Sequence, residues 1–177
     1  MRGAALILVI SLAAAASSLS QDVPYVATPP EVVERMLQLA QVKAGDVVYD
    51  LGCGDGRIVV AAVQRPNVRG VCVEIDPQRL RWARDAAQAA GVAERIRFVQ
   101  GDFFRVEVAD ATVVLLYLSR PVNLRLRPRL LAELQPKTRV VSYTADMGDW
   151  EPDQTVALEQ PFPSRLYLWT IPPRTGR

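Results

Sequence analysis

One stretch of the chain decides its fold: Val47-Val48-Tyr49-Asp50-Leu51-Gly52-Cys53-Gly54-Asp55-Gly56-Arg57. Its β-branched start predicts a short strand, and the three alternate glycines that follow predict a loop that leads into a helix. Open α/β sheets bind their ligands at loops of this kind, at the carboxyl ends of the strands. Because glycine has no Cβ, the backbone of such a loop can pass close to a ligand.

Around this loop the pattern of apolar residues alternates between strands and helices. It predicts a single-domain α/β fold with a Rossmann-like seven-strand sheet, mostly parallel with an antiparallel last strand, and helices on both faces. A capping box at Thr28-Pro29-Pro30-Glu31 predicts the start of the first helix. The other predicted elements are strands at 47–51, 70–74, 96–100, 112–118, 139–143, 155–158 and 165–171, and helices at 57–64, 77–90 and 122–134.

Composition excludes several kinds of site. The chain has no histidine, which rules out His-based triads and His-bearing metal sites, and only two cysteines, Cys53 and Cys72, so no metal site is expected. We expect the cysteines to remain unpaired, because Cys72 falls at a buried position of the sheet. The 21 basic and 19 acidic residues nearly balance, and the net charge of +2 argues neither for nor against a polyanionic partner.

The charge of the glycine loop narrows the choice of ligand. A dinucleotide site offers bare N–H groups to a pyrophosphate, which the carboxylates of Asp50 and Asp55 would repel. Two carboxylates instead suit a ligand whose near end is cationic, as the amine and sulfonium of S-adenosylmethionine are. An oxidoreductase that uses NAD is therefore disfavoured.

Acidic residues also follow the next two predicted strands. Glu74 is placed to accept hydrogen bonds from both hydroxyls of a ribose. The alternative is that Glu74 caps the next helix, a role for which Asp76 is also suited. We expect Glu74 to lie at an exposed strand end. Asp102 is placed to accept from the exocyclic amine of adenine while Phe103 covers the ring. The alternative is a turn aspartate followed by two core phenylalanines, the second being Phe104.

The glycine loop and these two acids resemble the class I, seven-strand, S-adenosylmethionine-dependent methyltransferases over most of residues 31–171. The resemblance implies that S-adenosylmethionine is the cofactor. It also implies that Asp50, Gly52 and Gly54 contact the methionine end of the cofactor, with the acids of the second and third strands at its ribose and adenine.

A narrower resemblance lies in three motifs. Pro24-Tyr25-Val26-Ala27-Thr28-Pro29, Asp55-Gly56-Arg57-Ile58-Val59 and Asp149-Trp150-Glu151-Pro152-Asp153 are similar to the small mitochondrial lysine methyltransferases of the adenine nucleotide translocase and the ATP synthase c subunit. This resemblance implies a protein substrate that is methylated on a lysine. The alternatives are a small-molecule methyltransferase and a non-catalytic exported domain that binds a cofactor or a partner.

Methyl transfer needs few catalytic side chains, because the sulfonium is already activated and the enzyme mainly holds the nucleophile in line. A lysine nucleophile must be neutral, and burial lowers the pKa of an amine without a histidine base. Tyr25, Tyr117 and Trp150 are the candidates for an aromatic substrate channel, with core packing as the alternative. Arginines at 120, 125, 127 and 129 predict a solvated helix face in preference to a nucleic-acid patch.

The amino-terminal residues predict a separate targeting segment. Residues 1–20 have the form of a secretory signal peptide, with Arg2 before an apolar run over 4–16, and a membrane anchor is the alternative. We expect an exported, periplasmic or membrane-anchored protein, with residues 4–16 as the segment that would associate with the membrane. If the segment is a mis-assigned start, we expect a cytoplasmic protein. The remaining predicted divisions are a substrate-side linker at 21–28, the methyltransferase domain at 29–172 and a tail at 173–177.

Overall fold

The first strand, β1 (Val47–Leu51), is buried at every position, as its apolar and β-branched residues predict for the middle of a parallel sheet. The computed structural model that contains it describes residues 26–174. The predicted signal segment at 1–20, Tyr25 and residues 175–177 lie outside the described residues.

The strands after β1 are β2 (Arg69–Glu74), β3 (Ile96–Gln100), β4 (Val113–Leu116), β5 (Arg139–Tyr143), β6 (Gln154–Leu158) and β7 (Ser164–Thr170). With β1 they form one seven-stranded sheet in the order β3-β2-β1-β4-β5-β7-β6. Strands β1 to β5 pair in parallel, and β7 is antiparallel to both of its neighbours, which confirms the predicted fold class. The strand order reverses beside β1, the place where open α/β sheets form a ligand crevice.

Helices cover both faces of the sheet. They are α1 (Pro30–Leu39), α2 (Arg57–Val63), α3 (Pro77–Ala89) and α4 (Arg120–Glu133), with a short 3₁₀ turn at Ala93–Arg95. Alternate residues of β1 point to opposite sides, so Val48 packs in the cluster that contains residues of α1, α2 and α3, and Tyr49 packs in the cluster that contains residues of α4. Within residues 26–174, none of the helices has the length and apolar character that a membrane crossing requires.

The start of α1 differs from the prediction. The capping box is wrong, because Pro29 occupies the N-cap with an extended ψ of 143° and no side-chain cap. Since Pro30 holds the residue before it out of the helical region, the helix cannot begin earlier. Thr28 is buried ahead of the helix instead. Asp76 does cap α3, as predicted, by accepting from the amides of Gln78 and Arg79.

The expectation that the cysteines remain unpaired is also wrong. Cys53 and Cys72 form a disulfide, with their Cα atoms 5.4 Å apart. The amides of Gly52 and Cys53 both donate to the carbonyl of Val73, at 2.9 and 3.0 Å. The loop therefore bends over β2 when it leaves β1, and Cys53 reaches Cys72 although Cys72 is fully buried in the sheet.

Candidate active site

A cleft that is partly open to solvent lies at the carboxyl ends of β1, β2 and β4. Open α/β sheets bind their ligands in a crevice at this place. The segment 26–28, ahead of α1, forms part of its wall. The lining includes every cofactor residue predicted from sequence and one predicted substrate residue: Asp50, Gly52, Gly54, Asp55, Glu74, Asp102, Phe103 and Tyr117.

Asp50 is the most unusual group in the cleft. Its side chain is buried, and within the described chain its Oδ2 atom has no hydrogen-bond partner. Burial is the main cause that raises the pKa of Asp50 to about 7; the backbone of Val59 opposes the shift, and the nearby Asp55 and Glu74 add to it. A buried carboxylate oxygen without a partner is costly unless something binds it. A cationic group of a ligand would supply the missing partner.

The glycines of the loop have two different uses. Gly54 has a φ of +56°, in the left-handed region that glycine adopts without steric cost, and its amide donates to Glu74 Oε2 at 3.0 Å. Gly56 has a φ of +78° and packs against α3, where an added Cβ would lie 2.8 Å from the Cβ of Ala83. The third glycine is therefore required by helix packing, a role that the sequence pattern did not reveal.

Glu74 is not at an exposed strand end, as the sequence predicted, but is only 4% exposed. Its two carboxylate oxygens accept from backbone amides, Oε2 from Gly54 and Oε1 from Asp76 at 2.9 Å. Each carboxylate oxygen has two lone pairs, so both can still accept from ligand hydroxyls. Ribose binding and support of the loop are thus compatible roles for one side chain.

Asp55 lies beside the cleft but is already paired within the chain. Its carboxylate accepts from Arg57 Nε at 3.0 Å and from Arg57 Nη2 at 2.6 Å. The guanidinium balances the charge of Asp55. Of the two loop carboxylates predicted to face a cation, Asp50 is therefore the better placed.

Asp102 and the phenylalanines after it form the opposite wall of the cleft. Asp102 Oδ1 accepts from the amide of Phe104 at 2.8 Å, which is the turn arrangement considered above as the alternative. The rings of Phe103 and Phe104 lie 4.8 Å apart and both line the cleft. Phe103 also lies alongside Gly52, the first loop glycine. Asp102 Oδ2 lies 3.8 Å from Nε of the exposed Arg105, a long ion pair that leaves this oxygen able to accept a hydrogen bond from a ligand.

Tyr117 lies directly beyond β4 and lines the cleft, unlike Trp150, the other predicted substrate residue that the structure describes. Its ring packs 4.6 Å from the ring of Tyr143, at 45°. Burial, followed by the proximity of Tyr143, raises the pKa of Tyr117. The hydroxyl of Tyr143 is buried and lacks a partner among the described residues. Sequence reasoning missed Tyr143, although its position at the end of β5, next to β4, was available as a signal.

Trp150 is not brought to the cleft. Its ring packs 5.7 Å from the ring of Trp169, and its carbonyl accepts from Trp169 Nε1 at 2.7 Å. Both tryptophans belong to the core cluster on the α4 face. This placement corresponds to the core-packing alternative for Trp150. Tyr25, the third candidate, lies outside the described residues.

Two of the four arginines of α4, Arg120 and Arg125, are exposed as a solvated helix face requires, and the other two are half-buried. All four contact neighbouring groups of the chain. Arg127 pairs with Asp149, and Arg129 pairs with Glu133 at 2.6 Å and donates to the carbonyls of Phe103 and Val106. The other two are also engaged, Arg120 with Asp146 at 2.9 Å and Arg125 over the ring of Phe104. These contacts tie α4 to the loops beside it.

The lining fits S-adenosylmethionine group by group. The unpartnered Oδ2 of Asp50 would suit the cationic methionine end, and Gly54 would keep the loop backbone free of side chains there. Glu74 presents acceptors for a ribose, and Asp102 presents an acceptor beside Phe103 for adenine. The rings of Tyr117 and Tyr143 lie on the far side of β1 from these two acids, because β4 and β2 flank β1.

The family described as "ANTKMT methyltransferase domain" matches residues 50–154, which span the loop, both acidic strand ends and Tyr117. The chain belongs to the ANTKMT methyltransferase family. It is thus an S-adenosylmethionine-dependent methyltransferase, and its cofactor is the one that the sequence predicted.

Relatives of this ANTKMT-family methyltransferase include enzymes that act on different substrates. A protein-lysine N-methyltransferase of Saccharolobus islandicus is 46% identical, over 84% of this chain and 94% of the relative. The mouse adenine nucleotide translocase lysine N-methyltransferase is 35% identical over 74% of this chain, which spans only 57% of that relative. A solved structure of an RNA methyltransferase from Salinibacter ruber, in complex with S-adenosyl-L-homocysteine, is 51% identical with a TM-score of 0.81, over 86% of this chain and 97% of that one.

Proposed function

We propose that this methyltransferase acts on the ε-amine of a protein lysine. The observation that carries the proposal is the 46% identity to the protein-lysine N-methyltransferase of Saccharolobus islandicus along nearly the whole of that enzyme. The translocase lysine methyltransferase of mouse supports the same substrate class at lower identity.

The chemistry of the cleft agrees with an amine acceptor. S-adenosylmethionine supplies a methyl group on a sulfonium, so the protein need only hold a nucleophile in line with it. The neutral amine nitrogen forms the new N–C bond as the C–S bond breaks, the bonding pair returns to sulfur, and the nitrogen loses a proton to solvent. The apolar wall formed by Tyr117, Leu118 and Phe103 favours the neutral form of an entering amine. No histidine base is needed, and the chain has none.

RNA is the second candidate acceptor, because the Salinibacter ruber relative is described as an RNA methyltransferase. A nucleic-acid surface needs arginines that can reach phosphates. Three of the arginines that could form one, Arg120, Arg127 and Arg129, are each paired with a carboxylate of this chain. We therefore propose the protein acceptor.

The deciding experiment incubates the full chain with methyl-labelled S-adenosylmethionine and three preparations from the native host: membrane proteins, soluble proteins and total RNA. We expect label that protease releases and nuclease does not, located on lysine by mass spectrometry of the labelled band. The Asp50→Asn variant serves as the inactive control. Label confined to RNA, or to a small metabolite, contradicts the lysine proposal and leaves the methyltransferase activity in place.

We also propose that residues 1–20 direct export, with residues 4–16 as a membrane anchor if they are retained. The Cys53–Cys72 disulfide supports this proposal, because disulfides form and persist mainly in oxidising compartments. Mass spectrometry of the protein from its native host is the test. A mature chain that begins at Gln21 supports export, an intact amino terminus in the membrane fraction supports an anchor, and an intact chain in the cytosol contradicts both.

A further inference from the structure

Arg57 connects two parts of the cleft that come from different regions of the chain. It is the first residue of α2, directly after the glycine loop. On one side its Nε and Nη2 atoms donate to the carboxylate of Asp55, at 3.0 and 2.6 Å. On the other side its Nη1 atom donates to the backbone carbonyl of Thr28 at 2.9 Å. One guanidinium thus joins the cofactor loop to the segment before α1.

The segment 26–28 needs such a connection because it belongs to no helix or strand. Val26, Ala27 and Thr28 precede α1 and line the cleft. Val26 is 55% exposed whereas Thr28 is buried, so the segment runs from solvent into the wall of the cleft. A hydrogen bond to the Thr28 carbonyl holds the inner end of this wall.

We propose that Arg57 is a positioning residue for the methyl acceptor. It holds the segment 26–28 against the cofactor loop, and this segment forms the wall along which the acceptor enters. The guanidinium is suited to this task because it is planar and presents donors in two directions at once, toward Asp55 and toward Thr28. A lysine offers a single ammonium and cannot keep both contacts in the same geometry.

The proposal rests on the methyltransferase activity of the chain and not on the identity of its acceptor. A positioning role for Arg57 has different consequences from a role in the stability of the fold. The Arg57 side chain lies at the edge of the cleft and is 35% exposed, so its replacement should leave the core in place. The proposal predicts that the change falls on the wall formed by 26–28.

The chain offers a matched control. Arg65, near the other end of α2, pairs with Glu34 of α1 at 2.9 Å and donates to the carbonyl of Ala61 at 3.2 Å. It too joins α2 to the amino-terminal part of the fold, but it does not line the cleft. Arg65→Gln therefore removes a comparable surface pair without touching the wall formed by 26–28.

The experiment compares full-length Arg57→Lys, Arg57→Gln and Arg65→Gln with the wild type. The Kd for S-adenosylhomocysteine is measured by calorimetry, and the initial methylation rate is measured against increasing amounts of the extract that becomes labelled. Removal of a hydrogen bond to a charged group corresponds to roughly a tenfold effect. We expect Arg57→Gln to raise the apparent KM for the acceptor about tenfold, with Arg57→Lys in between, while kcat and the cofactor Kd change by less than about twofold. Arg65→Gln should match the wild type.

Limited proteolysis of the S-adenosylhomocysteine complex gives a readout that needs no acceptor. We expect a protease of broad specificity to cut at 26–28 faster in Arg57→Gln than in the wild type or Arg65→Gln. Unchanged cleavage there contradicts the proposal, as does a fall in kcat at constant KM or an equal effect of Arg65→Gln. If no extract is labelled by the wild type, the lysine proposal fails, and the cleavage pattern still decides the role of Arg57.

Discussion

Glu74 Oε2 accepts the backbone amide of Gly54 at 3.0 Å, so a buried carboxylate at the end of β2 holds the loop that leaves β1. The other oxygen, Oε1, accepts from the amide of Asp76 at the start of α3. A single side chain therefore sets the spacing between the glycine loop and the start of α3. The acidic residue that we expect to bind the ribose of the cofactor also supports the loop beside it.

This double role predicts a graded response to substitution at Glu74. Glu74→Ala leaves the amides of Gly54 and Asp76 without their acceptor, and it should weaken S-adenosylhomocysteine binding by about 1.5–3 kcal/mol and also lower the Tm. Glu74→Gln keeps one acceptor oxygen and should lie between Ala and the wild type in both respects. Calorimetric titration and thermal melts measure the two effects. A Glu74→Ala protein with normal cofactor affinity would show that Glu74 only supports the loop.

The raised pKa of Asp50, about 7, predicts that cofactor affinity depends on pH. A cationic ligand favours the carboxylate form, so the pKa of Asp50 falls when the ligand binds, and a proton is released below about pH 7. Affinity should therefore be full above pH 7 and weaken by up to about tenfold per pH unit below it. Calorimetry in buffers of different ionisation enthalpy detects the released proton. Asp50→Asn should bind weakly with a flat pH profile; a steep profile in that variant would assign the titration to another group.

The raised pKa of Asp50 also predicts how the stability of the ligand-free chain depends on pH. Because the pKa of Asp50 is higher when folded than its usual value near 3.8, its contribution to stability is fully present below about pH 4 and is lost as the pH rises through 7. Asp50→Asn removes the buried charge at nearly constant shape. It should therefore raise the Tm of the ligand-free protein at pH 8, with little effect at pH 4, and thermal melts across this range test it. A lower Tm of Asp50→Asn than of the wild type at pH 8 would mean that other groups of the folded chain stabilise the charged carboxylate of Asp50.

The Cys53–Cys72 disulfide predicts that the cofactor site responds to reduction. The bond links residues 19 apart and closes the glycine loop and α2 onto β2. Closing a loop of about this length stabilises a protein by roughly 3 kcal/mol in the chain-entropy treatment. Reduction, or the double change Cys53→Ser and Cys72→Ser, should lower the Tm and weaken S-adenosylhomocysteine binding. Two free thiols in the non-reduced protein would contradict this prediction. A Tm that stays the same when reductant is added would contradict it as well.

The parts of the fold that follow from local pattern could be predicted from sequence. The bounds of β1, β3 and β5 agree with the prediction, because each is a short apolar run between clear turn signals. The proximity of the predicted cofactor residues could also be deduced from sequence, since parallel strands place their carboxyl ends at one edge of the sheet. The lining of the cleft bears out that expected proximity.

The features that the sequence did not predict depend on contacts between distant segments. The disulfide arises because the loop bends over β2, which the hydrogen bonds to Val73 determine and which the spacing of two cysteines does not. The sequence makes Trp150 a candidate for either the substrate channel or the core, and its ring lies beside Trp169, which comes from the antiparallel strand β7. Neither position can be deduced before the path of the chain is known.

The two remaining aromatic candidates should behave differently because only one of them lies in the cleft. Tyr117→Ala removes an aromatic wall beside the reacting groups, and it should lower turnover by about tenfold or more while leaving the Kd of S-adenosylhomocysteine nearly unchanged. Trp150→Ala removes a ring that packs on Trp169, and it should destabilise the fold by about 3 kcal/mol with a smaller effect on turnover of the folded protein. Initial rates, calorimetry and denaturant unfolding separate the two effects.

The pH dependence of turnover then identifies the group that loses a proton before methyl transfer. Burial and the neighbouring Tyr143 raise the pKa of Tyr117 above its usual value near 10, so its hydroxyl stays neutral up to pH 9. A lysine acceptor has a free pKa of about 10.4, and turnover at limiting acceptor should therefore rise from pH 7 to pH 9 as the neutral amine becomes more abundant. Tyr117→Phe should keep this rise, because the titrating amine belongs to the substrate. A profile that is flat over this range in the wild type would indicate an acceptor without such an amine, and a rise that disappears in Tyr117→Phe would assign the proton transfer to the tyrosine.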